Sequence, residues 1–170
     1  MNYFSLYNLP EQFEVDLDKL KQNYQTLQKM THPDRFANAS DQQKRLTMQK
    51  NAQVNDAYTV LKSPIARAEH LLQLRGLELA SEQETVGNVE FLMQQMEWRE
   101  SLEDANDVAS LQLLAKQSDD DIQAQTQALS ALLATQTDED NKTAAEKLRE
   151  MKFLFKFKSE IESKLDGLDA

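Results

Sequence analysis

Between Gly87 and Gly167 the chain contains neither glycine nor proline, and no other feature narrows its folding options as far. A sheet-rich domain needs turn residues at short, regular intervals, and none are available there. Leucine is abundant, at 24 residues, while valine and isoleucine together number 9, so the β-branched residues that suit a pleated surface are scarce. Helices are therefore expected throughout: the fold class is all-α. At 170 residues the length suits one domain or two small ones.

The first half holds most of the punctuation. Leu17, Leu20, Tyr24 and Leu27 recur at helical intervals, which predicts one buried helical face. That helix must stop near Thr31, because Pro33 drives His32 out of the α region. Ser40 and Gln43 read as a capping box opening the next helix, with Val54, Ala57, Tyr58 and Leu61 as its apolar stripe. Two long antiparallel helices thus place His32-Pro33-Asp34 at the tip of a hairpin, facing solvent or a partner. Tyr3 to Leu9 predicts a short helix closed by Pro10, its aromatics packing across the hairpin. Ser63-Pro64 starts a fourth helix, with Ile65, Ala68, Leu71 and Leu72 on its apolar side and Arg75-Gly76 as its stop. His70, within it, is expected to be a surface or half-buried residue.

These elements define a module over 1–76, a joint over 77–85 that Leu77 and Leu79 suggest is a fixed elbow, and a second module over 86–170. In the second module Asn88 is a candidate cap for a helix to about Asp104. A second helix spans roughly Asp107 to Ala134, with Val108, Leu111, Leu114, Ile122, Leu129, Leu132 and Leu133 on one face. A third, from near Asp138, carries Ala144, Leu148, Met151, Leu154, Ile161 and Leu165. Short connections between long helices predict an antiparallel three-helix bundle.

Charge separates the halves. Residues 1–76 carry ten Lys/Arg against eight Asp/Glu, a net of +2; residues 77–170 carry nine against twenty-one, a net of −12. The asymmetry suggests two modules with different partners, and an acidic half repels phosphate backbones, so no nucleic acid is expected. There is no cysteine and there are two histidines, which leaves no disulfide, no thiolate ligand and no histidine cluster for zinc. Asp119-Asp120-Asp121 lacks the glycine turn and closing glutamate of a calcium loop and reads as a solvated face. Neither a metal nor a cofactor is expected. No basic-then-apolar leader and no long apolar run occurs, so the chain reads as soluble and cytoplasmic, with no membrane partner.

The first helix of the acidic module has two apolar faces. At about 100° per residue, Trp98 and Leu102 fall within about 20° of Phe91, whereas Val89, Leu92, Met93 and Met96 cluster about 140° away. A bundle buries one face of a member helix, so one stripe should be exposed. The aromatic seam is assigned to the core. The stripe of Leu92, Met93 and Met96 is assigned to a partner, a role that suits methionine's adaptable side chain. The alternative is that the joint or the first module covers it. Phe153 and Phe157 are expected to lie off the third helix's main core stripe, and which of Phe153, Phe155 and Phe157 joins the core stays open.

The segments Tyr3–Pro10, Thr31-His32-Pro33-Asp34-Arg35-Phe36, Asn55–Leu61 and Pro64–His70 resemble a J-domain. With the carboxy-terminal half they resemble the HscB family, the J-domain co-chaperones of iron–sulfur cluster assembly, over essentially the whole chain. The resemblance implies that His32, Pro33 and Asp34 dock on a specialised DnaK-class ATPase (HscA-like) and promote its ATP hydrolysis, steered by Lys19, Lys21, Lys29 and Arg35. It also implies a scaffold-binding patch of Leu92, Met93, Met96 and Phe153, bordered by Glu97, Arg99, Glu100 and Asp104, that holds an iron–sulfur scaffold protein (IscU-like). Many general J-domains have a denser basic helix and a tyrosine before the histidine; Thr31 stands there instead, which fits a dedicated chaperone.

Catalysis is not expected. His32 and Asp34 at a hairpin tip lack the pocket, the orienting group and the shelter from water that a general base needs, so the chain is read as no enzyme and no catalytic residue is named. Besides an enzyme built on that histidine–aspartate pair, which ranks last, two competing readings stand beside the co-chaperone. One is a J-domain protein for other or unfolded clients; the other is an acidic structural or oligomerisation module with an incidental His-Pro-Asp.

Overall fold

In a computed structural model the chain is described over residues 1–79 and 89–169. Described residues hold seven α-helices, α1 Tyr3–Leu6, α2 Leu17–Thr31, α3 Asp41–Lys62, α4 Pro64–Leu74, α5 Val89–Asp104, α6 Val108–Ala134 and α7 Asp138–Asp169, with a 3-10 turn at Pro33–Phe36. They fall into two compact units, residues 1–77 and 78–170. The part of the expected joint from 80 to 85, and the Asn88 cap, lie outside the described residues.

Each helix of the first unit starts and stops for a local chemical reason. Asp16 Oδ1 accepts the Asp18 and Lys19 amides at 3.0 and 3.2 Å, opening α2. Ser40 and Gln43 exchange side-chain and backbone bonds at 3.2 and 3.3 Å, the expected capping box of α3. Ser63 caps α4 and Pro64 occupies its first position. α1 is shorter than the sequence suggests, ending at Leu6 before Pro10 is reached. Asn8 takes a left-handed conformation (φ 53°) and lets the Leu9 amide reach back to Phe4 O at 2.9 Å. α4 closes the same way, with Gly76 at φ 87° and the Leu77 amide on Leu72 O at 3.0 Å.

The core of this unit joins Phe4, Tyr7, Leu9 and Phe13 to Leu20, Val54, Ala57, Leu61, Ala68, Leu71 and Leu72. The Tyr7 hydroxyl donates to Val54 O at 2.6 Å, and burial pushes its pKa well up. Leu17, expected on the buried face of α2, is instead 55% exposed. It is the first residue of the helix, beyond the reach of α3. His70 departs the other way and is buried. Its Nε2 accepts the Tyr3 backbone N–H at 3.1 Å, and its ring stacks on Tyr3 and Phe4. Arg67, also buried, donates to Phe13 O at 2.7 Å and Leu61 O at 2.8 Å while lying over the Phe13 ring.

In the second unit α6 and α7 form a long antiparallel pair, tied by Lys158 to Asp119 at 2.6 Å and Lys147 to Gln125 at 2.5 Å. Leu111, Leu114, Leu129 and Leu133 meet Ala144, Leu148, Met151, Leu154, Phe157 and Ile161 in its core. Gln136, at φ 59°, makes the tight turn between them. α5 leans on this pair through large side chains, and none of its residues is fully buried. Its contacts run from Phe91–Phe153 to Trp98–Phe157 and on to Lys164 Nζ at Leu102 O, 2.5 Å. That order makes α5 parallel to α7 and the topology up-down-up.

Two expectations on these helices need correction. Phe157 is 2% exposed, hence core and not off it, because α5 supplies the Trp98 ring that covers it. Val108 is 38% exposed at the first turn of α6.

Candidate functional site

Two exposed surfaces, one on each unit, carry the candidate functional residues. On the first, the chain leaves α2 at His32 (φ −66°, ψ 132°), which ends that helix and caps the 3-10 turn that follows. His32 Nδ1 accepts the Asp34 amide at 3.3 Å, and the Arg35 amide donates to His32 O at 3.1 Å. With Nδ1 engaged as an acceptor, the neutral ring carries its proton on Nε2 and presents a donor outward. The Asp34 carboxylate lies 3.5 Å from the same Nδ1. The His32 side chain is 56% exposed and that of Asp34 93%.

Beside the turn lies a shallow recess of about 420 Å³ lined by Gln28, Lys29, His32, Asp34 and Arg35. Lys21 is also exposed, on the outer side of α2. The arrangement offers a histidine donor, a carboxylate acceptor and flanking cations to a docking surface. Among the described residues lining it, the recess is shallow and leaves the His32 and Asp34 side chains exposed to water.

The second surface is the strip on α5. Leu92, Met93 and Met96 are 43%, 58% and 71% exposed, with Val89 beside them. Glu97, Arg99, Glu100 and Asp104 are exposed around them. Phe153 sits between the strip and the core: its ring stacks on Trp98 and Phe157 at 5.7 and 6.1 Å, and the Arg99 guanidinium lies over it at 5.6 Å. It is half-buried, whereas Phe155 is 38% exposed. The strip faces away because Phe91, Trp98 and Leu102, on the opposite side of α5, make the contacts with the α6–α7 pair.

Gln28 and Asn51 drew no attention in the sequence, and Thr31 and Asn55 did so only as parts of the J-domain-like segments; all four occupy the α2–α3 seam behind the turn. Their signal was present, since Asn51 and Asn55 stand one helical turn apart in line with Tyr58, but amides at seam positions read as solvent-facing. Among the described residues no group of three or more His, Asp or Glu could hold a metal ion, and no helix is long and apolar enough to cross a membrane.

Residues 87–162 match the family described as the HSCB C-terminal oligomerisation domain. The chain is 50% identical over 172 residues to the co-chaperone protein HscB homolog of Pseudoalteromonas atlantica, covering 99% of this chain and 98% of that protein. Among solved structures it is similar to chaperone HscB from Vibrio cholerae, at 39% identity, a TM-score of 0.88 and 99% coverage of both chains. Human co-chaperone protein HscB is similar at 30% identity and a TM-score of 0.91, over 96% of this chain and 82% of that one.

Proposed function

The chain belongs to the HscB family of co-chaperones, and from that premise we propose that it works as a two-surface adaptor in iron–sulfur protein maturation. The His32-Pro33-Asp34 turn docks on a specialised DnaK-class ATPase of the HscA type and stimulates its ATP hydrolysis. The α5 strip holds an iron–sulfur scaffold protein of the IscU type. Tethering raises the scaffold's effective concentration at the chaperone while hydrolysis locks it in place. The protein performs no bond chemistry of its own.

The observation that carries this reading is the pairing of an open His-Pro-Asp turn on one unit with an exposed apolar strip on the other. An apolar patch rimmed by charge marks a partner site. Pro33 fixes the turn that presents His32 and Asp34. Lys21, Lys29 and Arg35 supply the positive field that steers an acidic partner toward it.

A steady-state ATPase assay with the candidate chaperone, with and without scaffold protein, tests the whole scheme. Wild-type chain should raise the rate, and scaffold should raise it further. His32→Gln should abolish stimulation while scaffold affinity stays unchanged. Loss of both together would argue against separable surfaces. The matched domain's description names oligomerisation, and the strip could serve that end instead. In that case Leu92→Ala with Met93→Ala would change the protein's mass in solution and leave scaffold affinity alone.

A further inference from the structure

The hairpin of the first unit is sealed differently along its length. Toward its base the α2–α3 seam is apolar, with Leu20, Val54, Ala57 and Leu61 buried. From Tyr24 outward it becomes polar. Tyr24 stacks on Tyr58 with centroids 4.1 Å apart, and its hydroxyl donates to Asn55 Oδ1 at 2.9 Å. Gln28 Nε2 donates to the Tyr24 hydroxyl at 3.0 Å and also to Asn55 Oδ1. Asn55 Nδ2 donates to Asn51 Oδ1 at 3.2 Å. Asn51 Nδ2 in turn donates to Gln28 Oε1 at 2.9 Å and to Thr31 Oγ1 at 3.0 Å. Thr31 is 8% exposed and passes its own hydroxyl proton to Leu27 O at 2.8 Å. The connected bonds therefore end one residue short of His32.

Apolar seams tolerate axial slip, since one leucine-sized group can replace another a turn away. Directional amide pairs do not: sliding α2 past α3 by one turn, about 5.4 Å, would strip Gln28, Asn51 and Asn55 of their partners together. Inter-helix polar contacts, here part-buried, are best attested as devices that set register.

We propose that this ladder is a register lock, and that Gln28, Thr31, Asn51 and Asn55 are positioning residues that fix where the hairpin presents His32-Pro33-Asp34. Thr31, Asn51 and Asn55 lie outside the lining of the recess beside the turn, which Gln28 shares. All four act through the last turn of α2, whose end carries the histidine. The proposal rests on the reading of that turn as the chaperone-stimulating surface and adds to it the part of the molecule that sets its place.

The test uses the full chain. Because the sequence has no cysteine, nitroxides at Gln25→Cys and Ala52→Cys, both exposed positions on facing helices, report the hairpin register as an electron–electron distance. One variant replaces the ladder with apolar groups, Gln28→Leu, Asn51→Leu and Asn55→Leu. A second pair removes or keeps a single hydroxyl, Thr31→Val against Thr31→Ser.

The wild type should give one narrow distance. The leucine variant should melt no lower than the wild type, yet gain a population displaced by about 5 Å, one helical turn. Its maximal stimulation of the chaperone ATPase should fall roughly tenfold, the scale of one directed hydrogen bond. Thr31→Val should lower maximal stimulation severalfold without lowering the melting temperature, and Thr31→Ser should restore it.

A leucine variant with the wild-type distance and wild-type stimulation overturns the proposal. Should that variant not fold, Thr31→Val that matches the wild type in both readouts overturns it. His32→Gln is run in parallel. If it too leaves stimulation intact, the functional reading of the turn is what fails, and the distance measurement still decides the register lock.

Discussion

Replacing Arg67 by methionine isolates what a buried guanidinium contributes, because the new side chain keeps the stem and loses the charge and the donors. Arg67 sits on α4 and reaches two places that no backbone bond connects. One is Phe13 O in the segment before α2, at 2.7 Å, and the other is Leu61 O near the end of α3, at 2.8 Å. It also covers the Phe13 ring with its guanidinium carbon 4.9 Å from the centroid. Leaving two buried carbonyls without donors costs about 1–3 kcal/mol each, and the lost ring contact adds about 0.5–1 kcal/mol. Against this, the guanidinium no longer has to be desolvated, a cost visible in the burial-driven lowering of its pKa.

The net expected loss is about 3 kcal/mol, a large share of what a unit of this size possesses. At about 4–8 °C per kcal/mol for a small domain, the first unit should melt about 12–24 °C lower. The chain offers a clean assay, since all four tyrosines lie in the first unit and the single tryptophan in the second. Near-UV dichroism of tyrosine should show the shift while Trp98 fluorescence shows none. A tyrosine transition displaced by less than about 2 °C would refute the account of Arg67 as the clasp of this core.

Three further outcomes are expected. His70 accepts the Tyr3 amide only when neutral, and burial and the nearby amino terminus, partly countered by Glu11, hold its pKa below the usual 6.5. Its contribution to stability is therefore complete above about pH 6.5 and is lost as pH falls from there through the lowered folded value; His70→Gln should flatten that part of a melting-temperature profile, and an unchanged profile would count against the bond. Lys164 places its ammonium on the carbonyl end of α5, 2.5 Å from Leu102 O, so Lys164→Met should cost about 1 kcal/mol and make Trp98 easier to quench with acrylamide. Leu92→Ala with Met93→Ala should weaken scaffold binding by about 2 kcal/mol or more, roughly thirtyfold, with helicity unchanged; an intact affinity by titration calorimetry would place the patch elsewhere.

What the sequence determined by itself was whatever depends on near neighbours. Ser40 and Ser63 start helices, and Pro33 and Gly76 stop them, through bonds spanning only a few residues, so those boundaries were legible. The two faces of α5 were legible too, since helical period alone separates Phe91, Trp98 and Leu102 from Leu92, Met93 and Met96. Only the tertiary structure decided the rest. Nothing local distinguishes His70 from a surface histidine until the Tyr3 amide arrives from the far end of the unit. Phe157 becomes core because α5 lays Trp98 over it, and Leu17 becomes exposed because α3 does not extend that far. The Gln28–Thr31–Asn51–Asn55 ladder is the clearest case. Polar side chains are ordinarily left to water, and these are drawn partly out of it because each has a hydrogen-bonding partner on the opposing helix, a pairing that arises once the hairpin has closed.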